Sequence, residues 1–356
     1  MKNFLLLPLA VIAVLINLIP INAQSDALIN PIEKTTLFDS FYSEDCIDIT
    51  LESDFEKLVN NKKKEVYQKA WMSYTTKEGV KTKRSVLIKP RGKSRRMICD
   101  FPPIKLKFSK DELEADGLTA DNKLKIVTHC LERRSKEGQQ NLLKEYLTYK
   151  LLNILTDKSF RVQLVRITYI DSLNHDTSQR YGIIIEGKKG LAQRLNSTSF
   201  DKRGIPVSDL DPTQYNTVAL FQYMIGNTDW KLPMLHNTKL FNSGNSRNLI
   251  IVPYDFDYAG LVNARYAALD PIFDQEDSRD RVFLGQFANE EDLNKTLDLF
   301  KSKKDEILLY CQNFNKLYNW SRKEIVRYLK SFYKDIERSR FVKREFLGKR
   351  AYYSGY

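Results

Sequence analysis

The chain has 356 residues, with 57 Lys+Arg against 45 Asp+Glu and a formal net charge of +12 at pH 7. Hydrophobic residues are 42% and charged residues 29%, which excludes a disordered chain and allows a large core without metals or many disulfides. The basic surplus admits nucleic acid, a membrane surface or phosphate-bearing ligands, so its location along the chain matters.

Residues 1–23 read as an export signal. Lys2 is their only charge, an apolar stretch runs from Phe4 to Ile21, and small Ala23 precedes polar Gln24 and Ser25. The rival is an uncleaved membrane anchor, for which Pro8 and Pro20 are poorly suited. Export implies a periplasmic, cell-surface or secreted protein in an oxidising compartment. The four cysteines, Cys46, Cys99, Cys130 and Cys311, form no CxxC zinc pattern. Cys99–Cys130 is the favoured bridge, because the two flank neighbouring strand candidates.

Residues 24–46 read as a lead-in. Strands are expected at Val86–Ile88, Ile104–Phe108 and Leu124–Thr128, the last two alternating with period two. An amphipathic helix is expected over 139–156, with Leu143, Leu147, Leu151 and Ile154 in one stripe. Strands follow at Val162–Ile170 and Tyr181–Glu186. A helix is expected over 212–225, capped by Asp211 with Pro212 in its first turn. A strand at Leu249–Val252 and a mainly helical last 70 residues complete the chain. The order gives an α+β fold with a smaller β-rich N-lobe (47–190) and a larger, mainly helical C-lobe (191–356) around a ligand cleft.

Polar groups interrupt apolar patterns at three places. Asp255 follows an apolar strand, with Asp257 two residues on, a pattern suited to a hard divalent cation, and Asn237 can add a neutral oxygen. Asp229 lies in a Gly/Asn turn at the end of a helix, where a general base can be held. Lys105 or Lys107 on one strand can meet nucleotide phosphates, with Glu145 orienting the lysine. These parts match the layout used for phosphoryl transfer. Each has a plainer alternative: a turn cap for Asp229, a structural calcium site or loop hydrogen bonds for Asp255 and Asp257, and solvated faces for Glu145, Lys105 and Lys107. His129, His175 and His236 form no metal triad by spacing, and His236 reads as support for Asn237.

Over about residues 47–290 the chain resembles the CotH-type, atypical protein-kinase-like proteins of bacteria, and looks like an exported branch of them. The resemblance lies in Arg91-Gly92-Lys93-Ser94-Arg95, the Lys105/Lys107 strand, Lys144-Glu145-Tyr146-Leu147 and Tyr181-Gly182 through Glu186. It continues in Asn227-Thr228-Asp229-Trp230, His236-Asn237 and Pro253-Tyr254-Asp255-Phe256-Asp257. It implies a two-lobed protein-kinase-like fold that uses ATP or another nucleotide with Mg²⁺ or Mn²⁺. Asp229 would be catalytic, and Asn237, Asp255 and Asp257 would hold metal. Lys105 or Lys107 would contact phosphate, paired with Glu145, with Arg91 and Arg95 nearby and Glu186 near the lobe connection. The sequence departs from eukaryotic-type kinases, since Asn237 stands eight residues after Asp229, no GxGxxG occurs, and Asp257 replaces the Gly after Phe256.

The leading expectation is a phosphotransferase acting on a Ser or Thr hydroxyl of a protein. The alternatives are transfer of AMP or another group, and a non-catalytic envelope-binding or assembly protein. Nucleic acid is not expected, for no reader motif is present. Residues 77–110 hold 12 basic and 2 acidic residues, and residues 301–356 hold 15 and 6. The first segment covers the proposed phosphate-facing region. The second is a basic helical tail suited to an anionic partner or envelope surface.

Overall fold

Alternation of apolar and polar residues rolls the first half of the molecule into a ring of strands. In the computed structural model, which describes residues 35–348 apart from 133, 245–247 and 274, seven strands close into a barrel. They are β1 (Ile47–Ser53), β2 (Gln68–Thr75), β3 (Lys81–Pro90), β4 (Ile104–Lys107), β5 (Lys123–Val127), β6 (Val162–Asp171) and β7 (Thr177–Ile185). Their order is β1-β2-β3-β4-β5-β7-β6. All pairings are antiparallel except that of β6 with β1, which is parallel and closes the ring. Ile49, Leu51, Met72, Ile88, Ile104, Leu106, Ile126 and Ile167 fill the interior. The intervening Lys105, Lys107, Lys123 and Lys125 point outward, as period-two geometry requires. The expected export signal and residues 24–34 of the lead-in lie outside the described residues. The described residues form one compact unit.

Short helices α1 (Leu37–Phe41), α2 (Phe55–Asn60), α3 (Arg95–Ile98) and α4 (Lys110–Ala115) decorate the barrel. The long α5 (Ser135–Leu155) connects β5 to β6 and packs on β6 and β7. It is buried nearly all round rather than amphipathic as the leucine stripe suggested. Four of its buried polar residues reach partners. Lys144 reaches the Val262 carbonyl, Glu145 pairs with Arg95, Thr148 donates to the Lys144 carbonyl, and Lys150 pairs with Glu44.

The remaining chain adds α6 (Lys188–Arg194), β8 (Thr198–Phe200), α7 (Pro212–Ile225), β9 (Thr238–Asn242) and β10 (Ile250–Pro253). The strands form a separate sheet in the order β10-β9-β8. Helices α8 (Glu290–Ser302), α9 (Lys304–Asn313), α10 (Asn319–Ile336) and α11 (Ser339–Val342) follow, before a single π-turn at Lys343–Leu347. The Asp211 carboxylate accepts from the Gln214 amide at 2.9 Å and caps α7, worth about 1 kcal/mol.

The expected two-lobed protein-kinase-like fold is not the one adopted. The sheet region is a closed seven-stranded mixed barrel followed by a helical region. The physical reason is the return of β6 alongside β1, whose register from Ile47↔Val165 to Ser53↔Asp171 leaves no open edge on the barrel.

Candidate functional site

Hairpin register brings Asn237 to the residue that precedes Asp255. Antiparallel pairing sets Thr238, at the start of β9, opposite Pro253, at the end of β10. Asn237 and Tyr254, the residue before Asp255, therefore leave the hairpin side by side, and the Tyr254 amide donates to the Asn237 carbonyl at 3.0 Å. Asn237 and Asp255 both adopt the left-handed region, Asn237 at φ 50° and Asp255 at φ 64°. Non-glycine residues held there cluster at functional sites, because the surroundings must offset the strain. Here Tyr149 of α5 helps, its hydroxyl accepting the Asp255 amide hydrogen at 2.8 Å.

Helix α7 delivers Asp229. It ends at Gly226 with φ 65°, where an added Cβ would meet the Tyr328 hydroxyl at 2.2 Å. The Asp229 amide donates to Asn227 Oδ1 at 3.0 Å. Asn237 Nδ2 donates to both the Asp229 carbonyl and Oδ2 at 2.8 Å, while His236 Nε2 lies 2.9 Å from Oδ1. Burial raises the Asp229 pKa, with His236 opposing. His236 thus supports Asp229 directly. Asn237 is committed through its amide hydrogens, leaving its amide oxygen as the donor available to a cation.

The centre of the site is a buried charge cluster. Arg95, on α3, contacts three carboxylates. Nη2 is 2.8 Å from Glu145 Oε2 and 3.3 Å from Asp255 Oδ1, and Nε is 2.9 Å from Asp257 Oδ2. The Glu145 and Asp257 side chains are only 2% and 5% exposed. Asp255 sits deep but keeps 43% of its side chain open, so solvent screens it more than its partners. Burial pushes the Glu145 carboxyl up to about 8, with Arg95 opposing and the Asp257 and Asp255 charges adding. Burial and the neighbouring Asp257 also raise Asp255. For Arg95, the three carboxylates outweigh desolvation and hold its pKa well above the ordinary value.

The sequence pairing of Lys105 or Lys107 with Glu145 is therefore corrected, for Glu145 pairs with Arg95. A planar guanidinium reaches several carboxylates at once, where an ammonium acts as a point charge. Lys105 lies instead on an outward row of cations, with Lys89 and Lys125 directly opposite it on β3 and β5. Like charges placed opposite on a sheet repel. Burial, then Lys89 and Arg91, lower the Lys105 pKa. Lys107 lies 6.0 Å from the Tyr67 ring centroid. Arg91, just after β3, feels both Asp255 and Arg95, and burial lowers its pKa. Glu186 is not brought to the cluster, since its buried carboxylate is clamped by Arg161 and Arg194 at 2.9 Å each.

Lys125 was missed by sequence reasoning. Burial, then the charges of Arg91, Lys105 and Lys239, lower its pKa to about 8. The signal was present, because Leu124-Lys125-Ile126 repeats the alternation of the Lys105 strand. Cys99, the C-cap of α3, is disulfide-bonded to Cys130 with the Cα atoms 4.6 Å apart. The bridge ties the Arg95 helix to the segment that leads into the Glu145 helix.

The chain matches no protein-family model and no curated protein. The chemistry therefore rests on the residues themselves. Among the described residues, no group of three or more His, Cys, Asp or Glu is arranged to hold a metal ion unaided. The donor set nevertheless suits a hard cation. Asp255 and Asp257 are within hydrogen-bonding reach of each other, and Glu145 Oε1 is buried without a partner. Three carboxylates share one contacting guanidinium, so the cluster is short of positive charge. Mg²⁺ commonly takes one or two carboxylates and completes its shell with water and substrate phosphate.

Proposed function

We propose that the protein is a nucleotide-dependent phosphotransferase that uses a divalent cation and acts on a protein Ser or Thr hydroxyl. The observation that carries the reading is the Asp255–Asp257 pair, with Asp229 within the field of Asp257 and with Arg91 coupled both to Asp255 and to Lys105 and Lys125. The resemblance to CotH-type sequences supports the same assignment of roles.

Asp255, Asp257 and the Asn237 oxygen would hold Mg²⁺ or Mn²⁺. Such an ion neutralises charge on the transferring phosphoryl group when bound. Arg91, Lys105 and Lys125 bind and orient the phosphates of the nucleotide. Asp229, positioned by His236 and Asn237, accepts the proton of the acceptor hydroxyl. The acceptor oxygen forms a bond to the terminal phosphorus as the bond to the bridging oxygen breaks, and the nucleoside diphosphate leaves with that electron pair. The raised pKa of Asp229 suits a proton acceptor.

The test is transfer of labelled terminal phosphate from ATP with Mg²⁺ or Mn²⁺. Asp229→Asn should lower the rate by about 10²–10⁴-fold, the usual worth of a general base. Equal transfer by Asp255→Ala and the unaltered chain would sink the mechanism. A second reading, a non-catalytic binding protein, is favoured by Arg95, whose guanidinium occupies one oxygen of each of the three carboxylates. It requires that nucleotide affinity be independent of divalent metal, which calorimetry decides.

A further inference from the structure

Helix α10 is held by one face and presents another that the fold does not use. Ile325, Leu329, Phe332, Tyr333 and Ile336 are buried against the core. Trp320, Lys323, Arg327, Lys330 and Lys334 are exposed. At 3.6 residues per turn these five fall within an arc of about 80°, along roughly 21 Å of helix. The acids of the helix lie off this stripe and are engaged elsewhere. Glu324 pairs with Lys144 and Arg279, and Asp335 pairs with Arg338. Among the described residues, none of the four stripe cations has an ion-pair partner. A groove of about 500 Å³, with Val326 in its lining and Arg322, Lys323, Arg327 and Lys330 around it, follows the same surface.

The N-terminal end of the stripe is aromatic. Trp320 is 62% exposed and Tyr318 45%, with ring centroids 6.4 Å apart. Basic side chains beside exposed Trp and Tyr suit a bilayer interface, where amphipathic rings sit at the headgroups and cations meet anionic lipid. Base stacking is less suited, because the Trp320 ring already has the Lys144 ammonium 5.9 Å from its centroid.

We propose that this face of α10 docks on an anionic phospholipid surface, with headgroup phosphates along the groove and Trp320 and Tyr318 entering the headgroup layer. The site is separate from the carboxylate cluster and does not depend on the reaction proposed there.

The test is co-sedimentation of the full chain with phosphatidylglycerol–phosphatidylcholine vesicles and with phosphatidylcholine vesicles. One variant carries Lys323→Gln, Arg327→Gln, Lys330→Gln and Lys334→Gln. A charge-matched control carries Lys57→Gln, Lys69→Gln, Lys81→Gln and Lys110→Gln, all exposed positions on or beside the barrel. The apolar segment Phe4–Ile21 is common to every version, so the difference between variants is the readout. The α10 variant should bind anionic vesicles at least about tenfold more weakly, and the control less than about twofold. Both should match the unaltered chain on phosphatidylcholine. Anionic vesicles should shift the tryptophan emission to the blue, and Trp320→Phe should abolish the shift. Equal weakening by both variants, or none by the α10 variant, overturns the proposal. So does α10-dependent binding of single-stranded DNA without vesicle binding, and so does competition by inorganic phosphate that abolishes vesicle binding at constant ionic strength.

Discussion

Replacing Arg95 with methionine removes the guanidinium that Glu145, Asp255 and Asp257 share. The methionine keeps most of the side-chain volume, so the loss is chiefly electrostatic. Removing one partner of a buried ion pair costs about 3–5 kcal/mol. Asp255 contributes little to this, since 43% of its side chain is screened by water. Glu145 and Asp257 carry the cost. Urea unfolding at pH 8 with chelator should show the loss as a midpoint shift of about 1–2 M, taking about 2–3 kcal/mol per molar urea. The penalty should shrink at pH 5, where Glu145, whose carboxyl is pushed up to about 8, is protonated with or without Arg95. Mg²⁺ or Mn²⁺ at a hundred times its dissociation constant should return about 2.7 kcal/mol if a cation can replace the guanidinium. A loss below about 1 kcal/mol that is the same at pH 5 and pH 8 would refute the reasoning.

Glu145 should give the metal-free protein an inverted pH dependence. Its folded pKa of about 8 stands above the ordinary 4.5, so the folded state binds more protons between those values. Its contribution is complete below 4.5 and is lost as pH rises through about 8, and Glu145→Gln should flatten that slope in urea titrations from pH 5 to 8.5. Lys125→Met should relieve repulsion from Arg91 and Lys105, raising the thermal midpoint while weakening ATP binding about tenfold by calorimetry, the worth of a charge-assisted contact. Unchanged ATP affinity would remove Lys125 from the phosphate site. Cys99→Ala with Cys130→Ala opens a cross-link between residues 31 apart and should cost about 3–4 kcal/mol in chemical unfolding.

Local pattern made most strands and the α7 cap legible in the sequence, because alternation and capping are short-range. Asn237 and Asp255 were legible as candidates, while the pairing of Asn237 with Tyr254 depends on the β9–β10 register, which a single chain does not display. Barrel closure was hidden for the same reason, as neither β1 nor β6 carries a local mark of its parallel partner. The Arg95 cluster was obscured because α3 has only four residues and no hydrophobic period. Glu145 was placed on the correct helix but given the wrong partner, since analogy supplied a lysine where geometry favours a guanidinium. Lys144 and Lys150 show why α5 misled, for their charges are neutralised by Glu324 and Glu44 from distant segments.

Closure of the barrel also orders events in time. Asp48 of β1 and Arg166 of β6 face each other across 118 residues of chain. Strands β2 to β5 can pair with sequence neighbours as they emerge, but β1 keeps an open edge until β6 arrives, and α5 must first be laid down between them. Loop-closure entropy must be met before such a distant pairing is rewarded. Ile167→Ala, at the Ile49↔Ile167 pairing, is therefore expected to slow refolding more than it speeds unfolding in a chevron analysis. An effect confined to the unfolding arm would place closure after the rate-limiting step. The interval before Asp171 is in place is the time when β1 is most exposed to edge-to-edge association with another chain.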